Sequence, residues 1–287
     1  GGLNGPVPSI SASSCTLNAQ SYVEIGKTTN STASFIGMNA GMIGGGHMLG
    51  VDSPVSNTNI SAEQCNVAAG GYIRSEYDGS AHFYVKVKGA AIIGGLNRGG
   101  SISVNNCALN SDSYIRYLDM VGGYNGYGKG GTGTCGDITV HSCTMTATTS
   151  IEDSCMLGGG NGSDDGTCGD ITVHDCTITA TTYIDDSYIL QGYNGDGDGG
   201  TSGTCGDITV NSCTMTATIS IEYSNILEGY NGYGYDYGGT GGTGSGTCGD
   251  ITVNSCKMTA TDSISHSSIL GGHNGYGDGY GGTGSGT

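Results

Sequence analysis

One apolar pattern returns seven times along the chain. The string Ile-(Ser/Thr)-(Ala/Val)-x-x-Cys starts at Ile10, Ile60, Ile102, Ile138, Ile171, Ile208 and Ile251 and closes at Cys15, Cys65, Cys107, Cys143, Cys176, Cys213 and Cys256. Inside each unit apolar and polar residues alternate. In the last one Ile251 and Val253 are followed, after a bend, by Cys256, Met258 and Ala260, with Thr252, Lys257, Thr259 and Thr261 between them. A period of two sorts side chains onto opposite faces of an extended strand, so the pattern predicts strands and not helices. Lys257 occupies the place of Thr144, Thr177 and Thr214, and a charge there marks that face as outward. Inward columns then run through Leu17, Val67, Leu109, Met145, Ile178, Met215 and Met258, and through Ala19, Ala69, Ser111, Ala147, Ala180, Ala217 and Ala260. A further column joins Ile115, Ile151, Ile184, Ile221 and Ile264.

A second landmark, an apolar pair ahead of Gly and then Asn or His, begins at Met42, Ile92, Met120, Met156, Ile189, Ile226 and Ile269. The first landmark lies 18 residues before the second in units three to seven and 32 residues before it in units one and two. From there to the next unit the step varies between 10 and 25 residues. A fixed arc joined by elastic segments is what a coil of stacked rungs permits, because insertions leave by one side without disturbing register. A lone rung cannot bury its apolar face, whereas rungs stacked about 4.8 Å apart bury like upon like and pair through parallel ladders. The expected fold is all-β: a parallel β-solenoid of seven coils with Gly/Tyr-rich variable loops on one side, forming a single domain over residues 1–287. Residues 1–101 are expected to form two coils with hairpin-like insertions, the second with Asp78-Gly79 at its tip, and residues 102–287 five regular coils. Asn-Gly at Asn125, Asn161, Asn194, Asn231 and Asn274 is expected to turn the chain out of the strand at positive φ.

Composition narrows the function. Gly supplies 58 of 287 residues, Trp is absent and Phe occurs twice, which excludes a thick conventional core. With 25 acids against 8 bases the net charge is −17, so phosphate backbones are repelled and nucleic acid is not an expected partner. No apolar run reaches the roughly 18 residues of a membrane span. The opening residues carry neither a basic nor an apolar signal region, so a signal was removed or never existed.

Eleven of the twelve cysteines fall into two columns. The seven that close the repeat face inward, where sulfur acts as a small apolar group. A second column, Cys135, Cys168, Cys205 and Cys248, sits eight residues ahead of its partners. The intervening GDITV segment is extended and spans roughly 16 Å, so bonds within a rung are disfavoured and bonds between rungs or between chains are expected. Cys155 stands alone. Cys-x-x-Cys spacing is missing, so neither a thiolate metal site nor a cofactor is expected.

Catalysis has little footing. Glu152-Asp153 and Asp185-Asp186 match on successive rungs, and paired carboxylates can hydrolyse glycosides, yet no His column accompanies them. Only His141 and His174 match each other, at the bend before the Cys. A residue repeated on successive rungs reads as a structural ladder, and no enzyme is expected. Aspartates in the Gly-rich segments (Asp164, Asp165, Asp196, Asp198, Asp236, Asp278) lack the nine-residue spacing of calcium-binding coils. Nine tyrosines share those segments and suit contacts with neighbouring protein or with sugars. Sequons at Asn30, Asn59 and Asn161 permit glycosylation.

Units such as DITVNSCTMTAT followed by IEYSNILEGYNGYG resemble the Gly-rich β-helical repeats of prokaryotic surface proteins and adhesins, closely in units three to seven and loosely in units one and two. The resemblance implies an extracellular or envelope location and a scaffold or adhesive role. Cys where those repeats usually carry Gly is a departure that implies added covalent or apolar stabilisation. In general character, though not in motif, the chain is also similar to the sheath protein of filamentous methanogenic archaea. No polar cap ends the coil: the final GGTGSGT repeats the one before Cys248, so the chain is either a piece of a longer array or is completed by the next copy. The expected function is a secreted structural protein whose copies stack into a fibre, tube or sheath. A cell-surface adhesin that binds polysaccharide is the alternative.

Overall fold

In the computed structural model of the chain, the described residues are 9–25, 43–44, 59–75, 89–94, 96–97, 100–122, 124–125, 136–158, 160–163, 167–198, 205–235, 249–271 and 273–278. They are strands joined by tight bends, and the strands pair in parallel to form a β-solenoid of seven coils. The first sheet takes Ser9–Ser13, Asn59–Glu63, Ile102–Asn105, Ile138–His141, Ile171–His174, Ile208–Asn211 and Ile251–Asn254, one strand from each coil in chain order. The second takes Thr16–Ala19, Asn66–Ala69, Ala108–Ser111, Thr144–Ala147, Thr177–Ala180, Thr214–Ala217 and Lys257–Thr259. The third takes Val23–Ile25, Ile73–Ser75, Ile115–Arg116, Ser150–Glu152, Tyr183–Asp185, Ser220–Glu222 and Ser263–Ser265. Register holds residue over equivalent residue: Ile138 pairs with Ile171, Met145 with Ile178 and Ile151 with Ile184.

The predicted inward columns form the core. Leu109, Met145, Ile178 and Met215 are completely buried, as are Ile115, Ile151, Ile184 and Ile221 in the next face. Cys65, Cys107, Cys143, Cys176 and Cys213 line the same interior.

The fourth side departs from expectation. The Asn-Gly positions do not turn out of the strand: Asn125, Asn161, Asn194, Asn231 and Asn274 stack as one ladder, which Asn97 extends by one coil. None of these asparagines has positive φ. The Gly/Tyr-rich segments, expected to be loops, supply the long strands Tyr188–Asp198 and Asn225–Tyr235, and His273–Asp278 pairs with the second of these. Asp196, Asp198 and Asp278 therefore lie in strands, while Asp164, Asp165, Asp236, the Asp78-Gly79 tip and Asn30 fall outside the described residues. Identical neighbours above and below let even Gly-rich sequence complete its backbone hydrogen bonds, which overrides its poor strand propensity.

The bends are made by non-glycine residues held left-handed. Ser14, Gln64, Asn106, Ser142, Asp175, Ser212 and Ser255 turn the first sheet into the second with φ between 51° and 55°. Tyr117, Asp153, Asp186, Tyr223 and His266 do the same between the third and fourth, with φ from 43° to 55°. Such strain persists where the surroundings over-determine the backbone, here through the ladders on either side.

Every described bend except that at Tyr117, which Leu118 follows, is followed by a side chain that satisfies the main chain. At the first, the Cys143, Cys176 and Cys213 thiols donate to the carbonyl two residues back, at 3.3, 3.4 and 3.3 Å. At the second, buried serines do the same: Ser154, Ser187 and Ser224 donate to the carbonyls of Glu152, Asp185 and Glu222 at 2.7–2.8 Å. Their oxygens also accept the N–H of Leu118, Ser154 and Ser187 from the coil before. Ahead of the first sheet, a Gly-Asp pair repeats the device, with Asp137, Asp170 and Asp207 accepting the N–H of the aspartate one coil on at 2.8–3.0 Å. A Cβ on Gly206 would lie 2.3 Å from Asp170 Oδ1 and 2.7 Å from Gly169 backbone, so the close approach requires glycine.

Candidate functional site: the open coil faces and the charged flank

A solenoid's interior is a column, and the first and last described coils expose it. Among the described residues, the strands of the first coil pair only with the second and those of the last only with the sixth. Side chains buried in every middle coil surface here: Leu17 is 45 % exposed at one end, and Ile264 and Leu270 are 47 % and 52 % exposed at the other. Cys15 and Cys256, members of the otherwise buried thiol column, become half-buried. The two faces carry the same residue types in the same columns, because Ile10, Cys15, Leu17 and Ala19 are the first members of the series that Ile251, Cys256, Met258 and Ala260 end.

The flank made by the third sheet holds the charges. Glu24, Arg74, Arg116, Glu152, Asp185, Glu222 and Ser265 stack in one register column. Arg74 pairs with Glu24 at 2.9 Å and Arg116 with Glu152 at 3.1 Å. Tyr183 Oη at 2.7 Å and Ser150 Oγ at 2.9 Å also donate to Glu152, so that carboxylate ties Arg116, Ser150 and Tyr183 together. Partial burial, then the carboxylates of Asp186, Glu222 and Glu152, raise the Asp185 carboxyl above its ordinary range. Asp185 and Asp186 line an open cleft with Tyr188, Tyr223, Glu228 and His266. Tyr188 Oη donates to Asp186 at 2.5 Å, and the Tyr223 and His266 rings stack at 4.7 Å. The matched carboxylates noted in the sequence are register partners on successive coils, Glu152 with Asp185 and Asp185 with Glu222.

The seven cysteines that close the repeat face inward as predicted, Cys65, Cys107, Cys143, Cys176 and Cys213 within the core and Cys15 and Cys256 packed against it, and these seven are thiols. Cys168 and Cys205 of the second column are buried, Cys135 and Cys248 fall outside the described residues, and Cys155 is buried in the fourth sheet. No disulfide joins one member of the repeat-closing column to the next: parallel side chains one ladder step apart bring α-carbons close but hold β-carbons beyond disulfide reach. A hydrogen bond shared with Cys143, and then burial, pushes the Cys107 thiol up, and hydrogen bonds shared with Cys143 and Cys213, and then burial, push the Cys176 thiol up. The buried serine ladder and the left-handed bends went unnoticed in the sequence; the signal available was Ser154, Ser187, Ser224 and Ser267 at one fixed offset within each unit.

No family model, curated protein or solved structure matches this chain.

Proposed function

We propose that the protein is an extracellular structural subunit whose coils stack end to end into a fibre, tube or sheath. The observation that carries this reading is the match between the first and last described coils, whose outward faces are apolar, have no further strand among the described residues and follow one column pattern. In a head-to-tail stack Ile10 of one copy lies over Ile251 of the next, Leu17 over Met258 and Cys15 over Cys256. The Asp250 carboxylate, last member of its ladder, then stands opposite the N–H of Ser9, as Asp207 stands opposite that of Asp250. The contact is heterologous and does not close by itself, so it propagates. A surface of −17 net charge keeps copies apart sideways at low salt and leaves the ends as the favoured contact.

Negative-stain microscopy of purified protein is expected to give unbranched polymer, and a short bis-maleimide is expected to join Cys15 of one copy to Cys256 of another. Monodisperse protein at every concentration and salt, with no such cross-link, refutes the reading. Polysaccharide adhesion is the second reading, favoured by the cleft where Tyr223 and His266 stack beside Asp186. A glycan array read with monomer, wild type against Tyr223→Ala, tests it: signal lost in the variant supports adhesion, and no signal removes it.

A further inference from the structure

At the first bend of the fourth and fifth coils, three metal-binding side chains converge that the linear spacing of the sequence hides. His141 and His174 are stacked ladder partners, their rings 3.9 Å apart. His141 Nε2 lies 3.6 Å and His174 Nδ1 3.1 Å from Asp175 Oδ2, and the three donor atoms all fall within 4.8 Å of one another. Ser142 Oγ adds a hydroxyl 3.1 Å from His141 Nε2. A tetrahedral ion bound at about 2.0–2.1 Å separates its ligand atoms by about 3.3 Å, so the donor spacings suit such an ion, and the stacked rings must tilt further apart than their 29° to aim both nitrogens at it.

The cluster breaks the repeat at one place. The histidine column carries Asn105 in the coil before and Asn211 in the coil after, and the aspartate column carries Asn106, Ser142 and Ser212. Histidine on both members of a ladder pair occurs together with the only acid in the adjoining column, so the coincidence is chemical and not a product of repetition. The bend backbone is fixed by the ladders and by Asp175 at φ 55°, which pre-organises the donors.

We propose that His141, His174 and Asp175 form a binding site for a divalent transition ion of the zinc class. Two imidazoles and one carboxylate are borderline donors that select zinc, cobalt or nickel over calcium and magnesium. All three side chains are partly exposed, so water completes the shell. The neighbouring thiols stay out of the donor set, because Cys143 and Cys176 point inward and are bonded to backbone carbonyls. The ion would clip the fourth coil to the fifth on the outside of a bend.

Cobalt titration of the full chain tests the site, with zinc as competitor. The expected result is one saturable site with visible d–d bands, no thiolate charge-transfer band, and displacement by zinc. His141→Asn and Asp175→Ser install residues that neighbouring coils already carry, and each is expected to weaken binding by about 100-fold or more. Unchanged affinity in both variants, a thiolate band, or no saturable binding overturns the proposal. Should a variant fail to fold, wild-type imidazole NMR decides: zinc shifts the ring signals of two of the six histidines, or the proposal fails.

Discussion

Replacing Ser187 with Ala isolates the serine ladder. The Ser187 oxygen is fully buried, accepts the Ser154 N–H at 3.2 Å and donates to the Asp185 carbonyl at 2.8 Å. The Asp185 carbonyl keeps a second donor, the Asp153 N–H at 3.0 Å, so it remains satisfied in the variant. The Ser154 N–H does not, and the deleted oxygen leaves a space smaller than a water molecule. A buried unsatisfied N–H costs about 1–3 kcal/mol, which sets the expected loss near 2 kcal/mol. Urea unfolding followed by circular dichroism should show the midpoint fall with m unchanged, and amide exchange at Ser154 should quicken before its neighbours. Thr181→Ala, at an exposed position of the same coil, is the control and should stay within about 0.5 kcal/mol. A Ser187→Ala loss no larger than that control would falsify the view that side chains at the bends complete the ladder.

Gly206→Ala drives a Cβ into backbone and the Asp170 carboxylate, and should cost about 2 kcal/mol or more by the same urea assay; a neutral result would mean the coils separate easily at that edge. Asp185 has a folded-state pKa raised above its unfolded value, so between the two values the folded state holds the extra proton and stability falls as pH rises. Asp185→Asn should flatten that slope and, at a half-exposed site, gain less than about 1 kcal/mol at pH 7; an unchanged pH profile contradicts the assignment. Ile264→Lys with Leu270→Lys should leave the far-ultraviolet spectrum intact and abolish polymer, since half of each side chain is left to bury at a junction, worth about 1 kcal/mol apiece; wild-type polymer in this variant counts against end-to-end stacking.

The seven coils and the inward columns were legible because period-two alternation and fixed spacing are local properties that stacking only repeats. Met145, Ile178 and Met215 could be assigned to one column before any coordinate was known. The fourth side was not legible. Residues 191–198, QGYNGDGD, read as loop by propensity, and their strand state depends on residues 228–235 lying directly above. The bends were equally obscure. Tyr117 and Tyr223 are poor candidates for positive φ, and they adopt it because the ladders fix the backbone on both sides. The His141–His174–Asp175 cluster was half visible: the matched histidines show in the sequence, but the partner acid follows only from the bend geometry that turns Asp175 back toward them.

In-register parallel stacking rewards repetition of apolar, hydroxyl and amide groups and penalises repetition of charge, which makes a charged content of 11 % a requirement of this architecture. Like charges one ladder step apart repel by about 1 kcal/mol in water and by about 3.5 kcal/mol at an effective dielectric constant of 20. The flank relieves this by pairing Glu24 with Arg74 and Arg116 with Glu152. It then tolerates Asp185 and Glu222, and it ends on Ser265 in the last coil. That ending bears on the junction between copies. Head to tail, Glu24 of one copy would lie over Ser265 of the other, with Arg74 one step beyond, and no acid meets an acid. Had Glu222 been the last member, each junction would add one repulsive step to the column. Ser265→Glu therefore should raise the critical concentration for polymer at low salt, by about tenfold for a penalty near 1.4 kcal/mol, and high salt should restore it, whereas Ser265→Asn should leave assembly unchanged. Sedimentation at several salt concentrations measures both variants. Equal behaviour of Glu and Asn at that position would mean that the flank columns do not continue from one copy into the next.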